Sequence, residues 1–130
     1  MIQTCPRGAC TMLTLWIIDD NAALLTSLKL ALAADYDLLT FTDPALCLVA
    51  FQDHLQRKPD IVLADYEMPN LNGLELLEVI LKRRPATRGY LFSSALTEAV
   101  VVQARKIGAK GWLGKPFDLK KLFQVFASTW

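Results

Sequence analysis

The sequence predicts a single α/β domain built on a doubly wound parallel sheet, and three observations lead to this fold class. The chain has 130 residues, of which 53% are hydrophobic and 21% charged, as expected for one globular domain. Five short apolar runs alternate with longer stretches of helical periodicity. The centres of these runs lie 22 to 29 residues apart, which leaves room for one helix between successive strands.

The predicted strands are the apolar runs themselves, and residues 1–12 before them are predicted to be a tail. Several runs are apolar at consecutive positions, which is typical of parallel strands buried on both faces. Five βα units predict a flavodoxin-like sheet with strand order 2-1-3-4-5 and five helices, forming one domain over residues 13–130. The predicted strands are Leu13–Ile18, Tyr36–Phe41, Ile61–Ala64, Gly89–Ser93 and Lys110–Leu113.

The helices are predicted from capping residues and from apolar side chains at helical spacing. Helix starts are expected at Asn21, Asp43-Pro44, Gly73, Thr97 and Asp118. Pro59, Pro85 and Gly108 mark the ends of the second, third and fourth helices. The residues expected to face the core are Leu24, Leu28, Ala31 and Leu32 in the first helix, Leu76, Leu77, Ile80 and Leu81 in the third, Val100, Ala104 and Ile107 in the fourth, and Leu119, Leu122, Phe123 and Phe126 in the fifth.

Composition narrows the function and the compartment. The formal net charge is +1, so no excess of positive charge is available to bind a nucleic-acid backbone. No run approaches the ~20 apolar residues of a membrane span. The three cysteines have no framework spacing, and Cys5 and Cys10 are read as thiols of the tail rather than as a redox or metal pair. We therefore expect a cytoplasmic protein that binds neither nucleic acid nor membrane.

Polar residues follow the predicted strands where ligands of such sheets bind. Asp19-Asp20 end the first strand, Asp65 the third and Ser93-Ser94 the fourth, and Lys115 follows the fifth. Two carboxylates about 4 Å apart repel by on the order of 4 kcal/mol at an effective dielectric constant near 20, so either one is protonated or a cation lies among them. Mg²⁺ suits oxygen ligands and leaves positions for a phosphoryl group. A carboxylate nucleophile, a metal and a cationic side chain are the parts of a phosphoryl-transfer site.

These motifs, taken in order, resemble the receiver domain of two-component response regulators. The resemblance covers about Leu13 to Ala127 and rests on Asp19-Asp20-Asn21, Asp65-Tyr66-Glu67-Met68-Pro69 with Gly73 beyond it, Ser94-Ala95 and Lys115-Pro116-Phe117. It implies a phosphoacceptor rather than an enzyme in the usual sense. In this family Asp65 would accept a phosphoryl group from a phosphohistidine of a sensor histidine kinase or phosphotransfer protein.

The resemblance also implies a metal site. Asp20 and Asp65 would bind Mg²⁺ directly, together with the backbone carbonyl of Glu67, and Asp19 would act through a bound water. The side chain of Glu67 is expected to influence how water or a phosphatase reaches the acyl phosphate, in a direction that the sequence does not give.

The remaining implied roles concern switching. Ser94 and Lys115 would bind phosphoryl oxygens, and the bond before Pro116 is often cis in the family. Trp112 stands where the family has its switch aromatic, and a purely structural core role for it is an equal alternative. A downstream protein or effector domain would bind the face formed by the fourth helix, fifth strand and fifth helix, where Val102 is expected to be exposed. The last helix is expected to reach the C-terminus with no effector domain after it, and homodimer formation is left open.

Three other functions compete with phosphoacceptance. The first is a docking module with receiver architecture that is never phosphorylated, which the presence of every site residue disfavours. The second is a phosphatase of the haloacid dehalogenase kind, but Asp65-Tyr66-Glu67 has Glu where that family has a second Asp. The third is a flavodoxin, but Asp19-Asp20 would repel a flavin phosphate. His54 is read as a solvated side chain without a catalytic role.

Overall fold

The structure is a computed structural model that describes residues 12–127. Within these residues, five strands alternate with five helices along the chain. The predicted tail with Cys5 and Cys10, apart from Met12, lies outside the described residues, as does the predicted end of the last helix at Trp130. The elements are β1 (Thr14–Ile18), α1 (Ala22–Leu32), β2 (Asp37–Phe41), α2 (Pro44–Gln52), β3 (Ile61–Asp65), α3 (Gly73–Arg83), β4 (Arg88–Ser93), α4 (Glu98–Lys106), β5 (Gly111–Gly114) and α5 (Leu119–Ala127).

The strands form one parallel sheet in the order β2-β1-β3-β4-β5, which confirms the predicted fold class. The carboxyl end of β1 lies beside that of β3, since Ile18 pairs with Ala64. On the other side of β3, Asp65 pairs with Phe92 of β4. Residues that follow these strands therefore meet at one edge of the sheet, as the sequence predicts.

Every residue of β1 and β3 is buried, because helices cover both faces of the sheet. Alternate residues of a strand point to opposite faces, and β1 shows this directly. Trp16 and Ile18 pack in the core cluster under α2, α3 and α4. Leu15 and Ile17 pack in the opposite cluster with α1 and α5. These two cores hold the ends of β1 and β3 in fixed positions.

Helix caps agree with the predicted starts. The side chains of Asn21, Asp43 and Thr97 accept backbone N–H groups of the first turns of α1, α2 and α4. At α3, the Asn72 side chain accepts the Glu75 N–H while the Glu75 carboxylate accepts the Asn72 N–H. This reciprocal pair fixes the start of α3 just beyond the carboxyl end of β3.

Some predicted helix faces and boundaries were wrong. In α1, Leu25 is buried with Leu28 and Leu32, while Ala31 is exposed. The pattern could not distinguish two overlapping faces, because both repeat at helical spacing. In α5, Leu119 and Phe123 are each 37% exposed, so only part of its apolar face is covered. α2 ends at Gln52 rather than near Pro59.

Among residues 12–127, no helix has the length and apolar character that crossing a membrane requires.

Candidate phosphoryl-acceptor site

Three carboxyl groups converge at the carboxyl edge of the sheet. Asp19 and Asp20 follow β1, and Asp65 is the last residue of β3. One carboxylate oxygen from each lies within 4.8 Å of the others. Asp19 and Asp65 are buried, whereas Asp20 is exposed, so the cluster opens to solvent on one side. The structure thus brings together the three acids that the sequence placed at one site.

Lys115, which follows β5, also contacts the acid cluster. Its Nζ lies 3.0 Å from Asp19 Oδ2 and 3.2 Å from Asp65 Oδ2. The Lys115 side chain is only partly exposed, and its Nζ also lies 4.5 Å from the centroid of the Phe92 ring. The peptide bond between Lys115 and Pro116 is cis. One ammonium therefore bridges the two buried carboxylates, in agreement with the predicted placement of Lys115.

The crowding of acids changes the protonation of Asp65. Burial, followed by the charge of Asp19 and a hydrogen bond to it, raises the pKa of Asp65 from 3.8 to about 7, and Lys115 offsets this only in part. Burial lowers the pKa of Lys115, but hydrogen bonds and charges from Asp19 and then Asp65 outweigh it, so the pKa of Lys115 is raised. Asp65 can therefore be half-protonated near neutral pH while Lys115 stays charged.

Backbone groups orient the two buried carboxylates. Asp19 Oδ1 accepts the N–H of Asn21 at 2.9 Å, and Asp65 Oδ1 accepts the N–H of Glu67 at 3.2 Å. Gly73 packs against the end of β3 so closely that a Cβ there would lie 2.4 Å from the Asp65 carbonyl oxygen. Only glycine fits at this position without moving β3. Contacts from the loop between β3 and α3 thus fix the position of Asp65.

The hydroxyl at the end of β4 belongs to Ser93 rather than to Ser94. Ser93 is the last residue of β4 and is 2% exposed, whereas Ser94 lies beyond the strand and is exposed. The Ser93 hydroxyl donates to the Glu67 carboxylate and accepts the N–H of Ala95 at 3.1 Å. The sequence placed Ser94 in the site and missed the contact between Ser93 and Glu67. The predicted strand already ended at Ser93, which was the available signal for the alternative.

The sequence made predictions about the exposure of two side chains, Trp112 and Val102, on the face beside the site. Trp112 in β5 is 42% exposed, so it is not the buried core residue that was the alternative to a switch role. Val102 in α4 is 45% exposed, as expected. A groove of about 750 Å³ beside the site is lined by both Trp112 and Lys115. His54 is exposed in the loop after α2, away from the sheet edge that holds the site.

The donor set fits a hard divalent cation. All three groups of the cluster are carboxylates, and their oxygens are close enough to surround one ion. Burial, followed by the charge of Asp19, raises the pKa of Asp65, so this carboxyl favours either a proton or a cation beside it. With an exposed side at Asp20, such an ion would keep positions for water or a phosphoryl oxygen.

Comparison with known proteins agrees with this geometry. A sequence model of the response regulator receiver domain matches residues 15–127. The chemotaxis protein CheY of Listeria monocytogenes is 32% identical over 114 residues, which cover 88% of this chain and 95% of that protein. The DNA-binding transcriptional regulator NtrC of Escherichia coli is 33% identical over 105 residues, which cover 80% of this chain but only 22% of that protein.

Solved structures share the architecture. A CheY-like receiver domain from Methanospirillum hungatei superposes with a TM-score of 0.82 at 23% identity and covers 90% of this chain and 92% of its own. The response regulator DrrB of Thermotoga maritima gives a TM-score of 0.77 at 23% identity, covering 88% of this chain and 50% of that one. These identities support the fold alone, whereas the sequence match over 113 of the 130 residues, from 15 to 127, establishes the family. The chain belongs to the response regulator receiver domain family.

Proposed function

We propose that this domain accepts a phosphoryl group on Asp65 from a histidine kinase or phosphotransfer protein, with Mg²⁺ bound at the acid cluster. The observation that carries the proposal is a buried carboxylate at a strand end, held between a second acid and Lys115. A receiver of this kind is a phosphoacceptor that takes part in its own phosphorylation.

The attacking group is a carboxylate oxygen of Asp65. It forms a bond to phosphorus while the bond from phosphorus to the histidine nitrogen of the donor breaks, and the nitrogen keeps the electron pair. The attack requires ionised Asp65, so the proton favoured by its raised pKa must leave first. A bound Mg²⁺ would supply positive charge that favours this ionisation and neutralises the phosphoryl oxygens.

The other residues of the site bind the metal or orient Lys115. Asp20, Asp65 and the backbone carbonyl of Glu67 would bind the metal, with Asp19 acting through a water. The Asp19 carboxylate also keeps Lys115 pointed at the acceptor, since its Oδ2 lies 3.0 Å from Nζ. Lys115 would contact a phosphoryl oxygen after transfer.

We assign the phosphoryl-binding hydroxyl to Ser93, in place of the Ser94 expected from the sequence. The support is positional: Ser93 lies at the buried end of β4, and its carbonyl accepts the N–H of Lys115 at 2.8 Å. Replacing each serine by alanine tests the assignment. We expect Ser93→Ala to weaken binding of the phosphate mimic beryllofluoride, whereas Ser94→Ala should leave it unchanged; the reverse result would restore Ser94.

We further propose that phosphorylation changes partner binding at the face formed by α4, β5 and α5. Exposed apolar side chains occur on all three elements, a feature that marks binding surfaces when it is contiguous. They are Val102, Trp112, Leu119 and Phe123. Trp112 and Lys115 line the same groove, and we propose Lys115 as the route by which the site acts on this face. An unchanged Trp112 fluorescence on beryllofluoride binding would argue against the route.

Incubation with acetyl phosphate and Mg²⁺, followed by intact mass, tests the proposed function. We expect a gain of one phosphoryl group that disappears in Asp65→Asn, while Asp35→Asn, which changes an exposed acid, retains it. A folded wild-type protein that gains nothing would be a docking module instead. Continuous release of phosphate from varied monoesters would indicate a phosphatase.

A further inference from the structure

The side chain of Glu67 binds the hydroxyl that the proposed site needs. Glu67 lies two residues after Asp65, and its backbone N–H donates to Asp65 Oδ1. Its carboxylate turns across to β4 and accepts the hydroxyl proton of Ser93. The Ser93 oxygen also accepts the N–H of Ala95 at 3.1 Å, which helps to fix the orientation of the hydroxyl.

A serine hydroxyl has a single proton to donate. Phosphoryl oxygens are strong acceptors and carry little or no proton at neutral pH, so they need donors such as this one. The Ser93 proton cannot be given in full to the Glu67 carboxylate and to a phosphoryl group at the same time. Hydrogen bonds to charged acceptors are about twice as strong as neutral ones, so the existing bond is a real competitor.

We infer that Glu67 is a positioning residue that holds the Ser93 hydroxyl in the unphosphorylated protein, so that a phosphoryl group on Asp65 must displace Glu67 to gain this donor. This inference rests on the proposed function. It predicts whether the Glu67 side chain favours or opposes phosphoryl binding. The bond between Glu67 and Ser93 opposes the phosphorylated arrangement. Removing the carboxylate favours that arrangement.

A purely electrostatic role makes a different prediction. The Glu67 carboxylate is negative, so it would repel a phosphoryl group whether or not Ser93 has a hydroxyl. If the Glu67 carboxylate instead acts by holding Ser93, its effect on phosphoryl binding depends on the Ser93 hydroxyl. A double-mutant cycle between Glu67 and Ser93 separates the two cases, because it measures their coupling directly.

The experiment measures beryllofluoride affinity by calorimetry at Mg²⁺ concentrations that saturate every variant. We expect Glu67→Ala to bind about tenfold more tightly than wild type, which is about 1.4 kcal/mol. Glu67→Gln, which keeps a neutral acceptor, should fall between them. In a Ser93→Ala background, Glu67→Ala should change the affinity less than about threefold, since the competitor has lost its target. Glu78→Gln, which removes an exposed charge of α3, is the matched control and should match wild type.

Three results would overturn the inference. Glu67→Ala could bind like wild type, or it could bind more weakly, or it could tighten binding equally with and without the Ser93 hydroxyl. Where Ser93→Ala binds too weakly to titrate, the rate of phosphorylation by acetyl phosphate completes the cycle with the same criteria. Wild-type protein that neither binds beryllofluoride nor gains a phosphoryl group would overturn the proposed function, and this inference with it. A phosphorylated wild type with an uncoupled Glu67 would overturn the inference alone.

Discussion

Replacing Asp65 by asparagine is expected to make the metal-free protein more stable than wild type, increasingly so as the pH rises. The raised pKa of Asp65 means that the folded state disfavours the ionised carboxylate, because burial and Asp19 both oppose the charge. Asparagine has a similar shape and no charge. The same substitution removes the proposed phosphoryl acceptor, so stability and function should change in opposite directions.

The pKa of Asp65 gives both the sign and the size of the effect. Its carboxyl has a pKa of about 7 in the folded protein, against an ordinary value of 3.8 that applies to the unfolded chain. Between these values the folded state holds a proton that the unfolded state has lost, so the stability of wild type falls as the pH rises and levels off above about pH 7. From pH 5 to pH 8 the loss is about 3 kcal/mol, two pKa units at about 1.4 kcal/mol each.

Urea unfolding at pH 5, 6.5 and 8 without divalent cations measures this difference. The advantage of Asp65→Asn over wild type should widen by about 3 kcal/mol between pH 5 and pH 8. Asp35→Asn changes an exposed acid and should show no such widening. If the stability advantage of Asp65→Asn stays constant or shrinks with rising pH, the pKa of Asp65 is not raised in the folded protein and the reasoning is refuted.

Three further predictions follow from the same site. Mg²⁺ at about 100 times its dissociation constant should stabilise wild type by about 2.7 kcal/mol, seen as a rise in Tm that Asp20→Asn diminishes; equal rises would contradict the metal site. Lys115→Met should lower the free energy of unfolding at pH 8 by about 2 kcal/mol or more and by less at pH 5, because it leaves two buried carboxylates unpaired. Gly73→Ala should cost about 1 to 3 kcal/mol in urea unfolding, since its Cβ meets the Asp65 carbonyl oxygen at 2.4 Å. Gly114→Ala is its control, with the nearest atom at 3.6 Å, and equal losses would contradict the steric argument.

The fold could be predicted from the sequence because the hydrophobic pattern extends over entire strands and helices. Continuous apolar runs in β1 and β3 require burial on both faces, and only helices on both sides of a parallel sheet provide it. Acids placed directly after such runs must lie at the carboxyl edge, whatever the details of packing. Asp19, Asp65 and Lys115 were therefore predicted together, and the structure places them together.

Features that depend on a shift of one residue are only weakly specified by the pattern. Ser93 and Ser94 are adjacent hydroxyls; the predicted strand end at Ser93 was a weak signal for Ser93, and its pairing with Gly114 of β5 shows that it ends the strand. Leu24 and Leu25 pose the same problem in α1, where the structure buries Leu25 at 4% exposure. Neighbouring residues of one type carry the same hydrophobicity signal, so their orientation is set by tertiary packing.

Charge counting connects the acid cluster to the competition for Ser93. Three ionised carboxylates and Lys115 give a formal charge of −2, which a divalent cation neutralises. Conversion of Asp65 to its acyl phosphate adds about one further negative charge, which the cation and Lys115 no longer balance. The new charge must be met by donors, and the buried hydroxyl at this edge is the one that Glu67 already holds. Phosphorylation of Asp65 would therefore both repel the Glu67 carboxylate and attract the Ser93 proton, so the two effects would act in the same direction on one hydrogen bond.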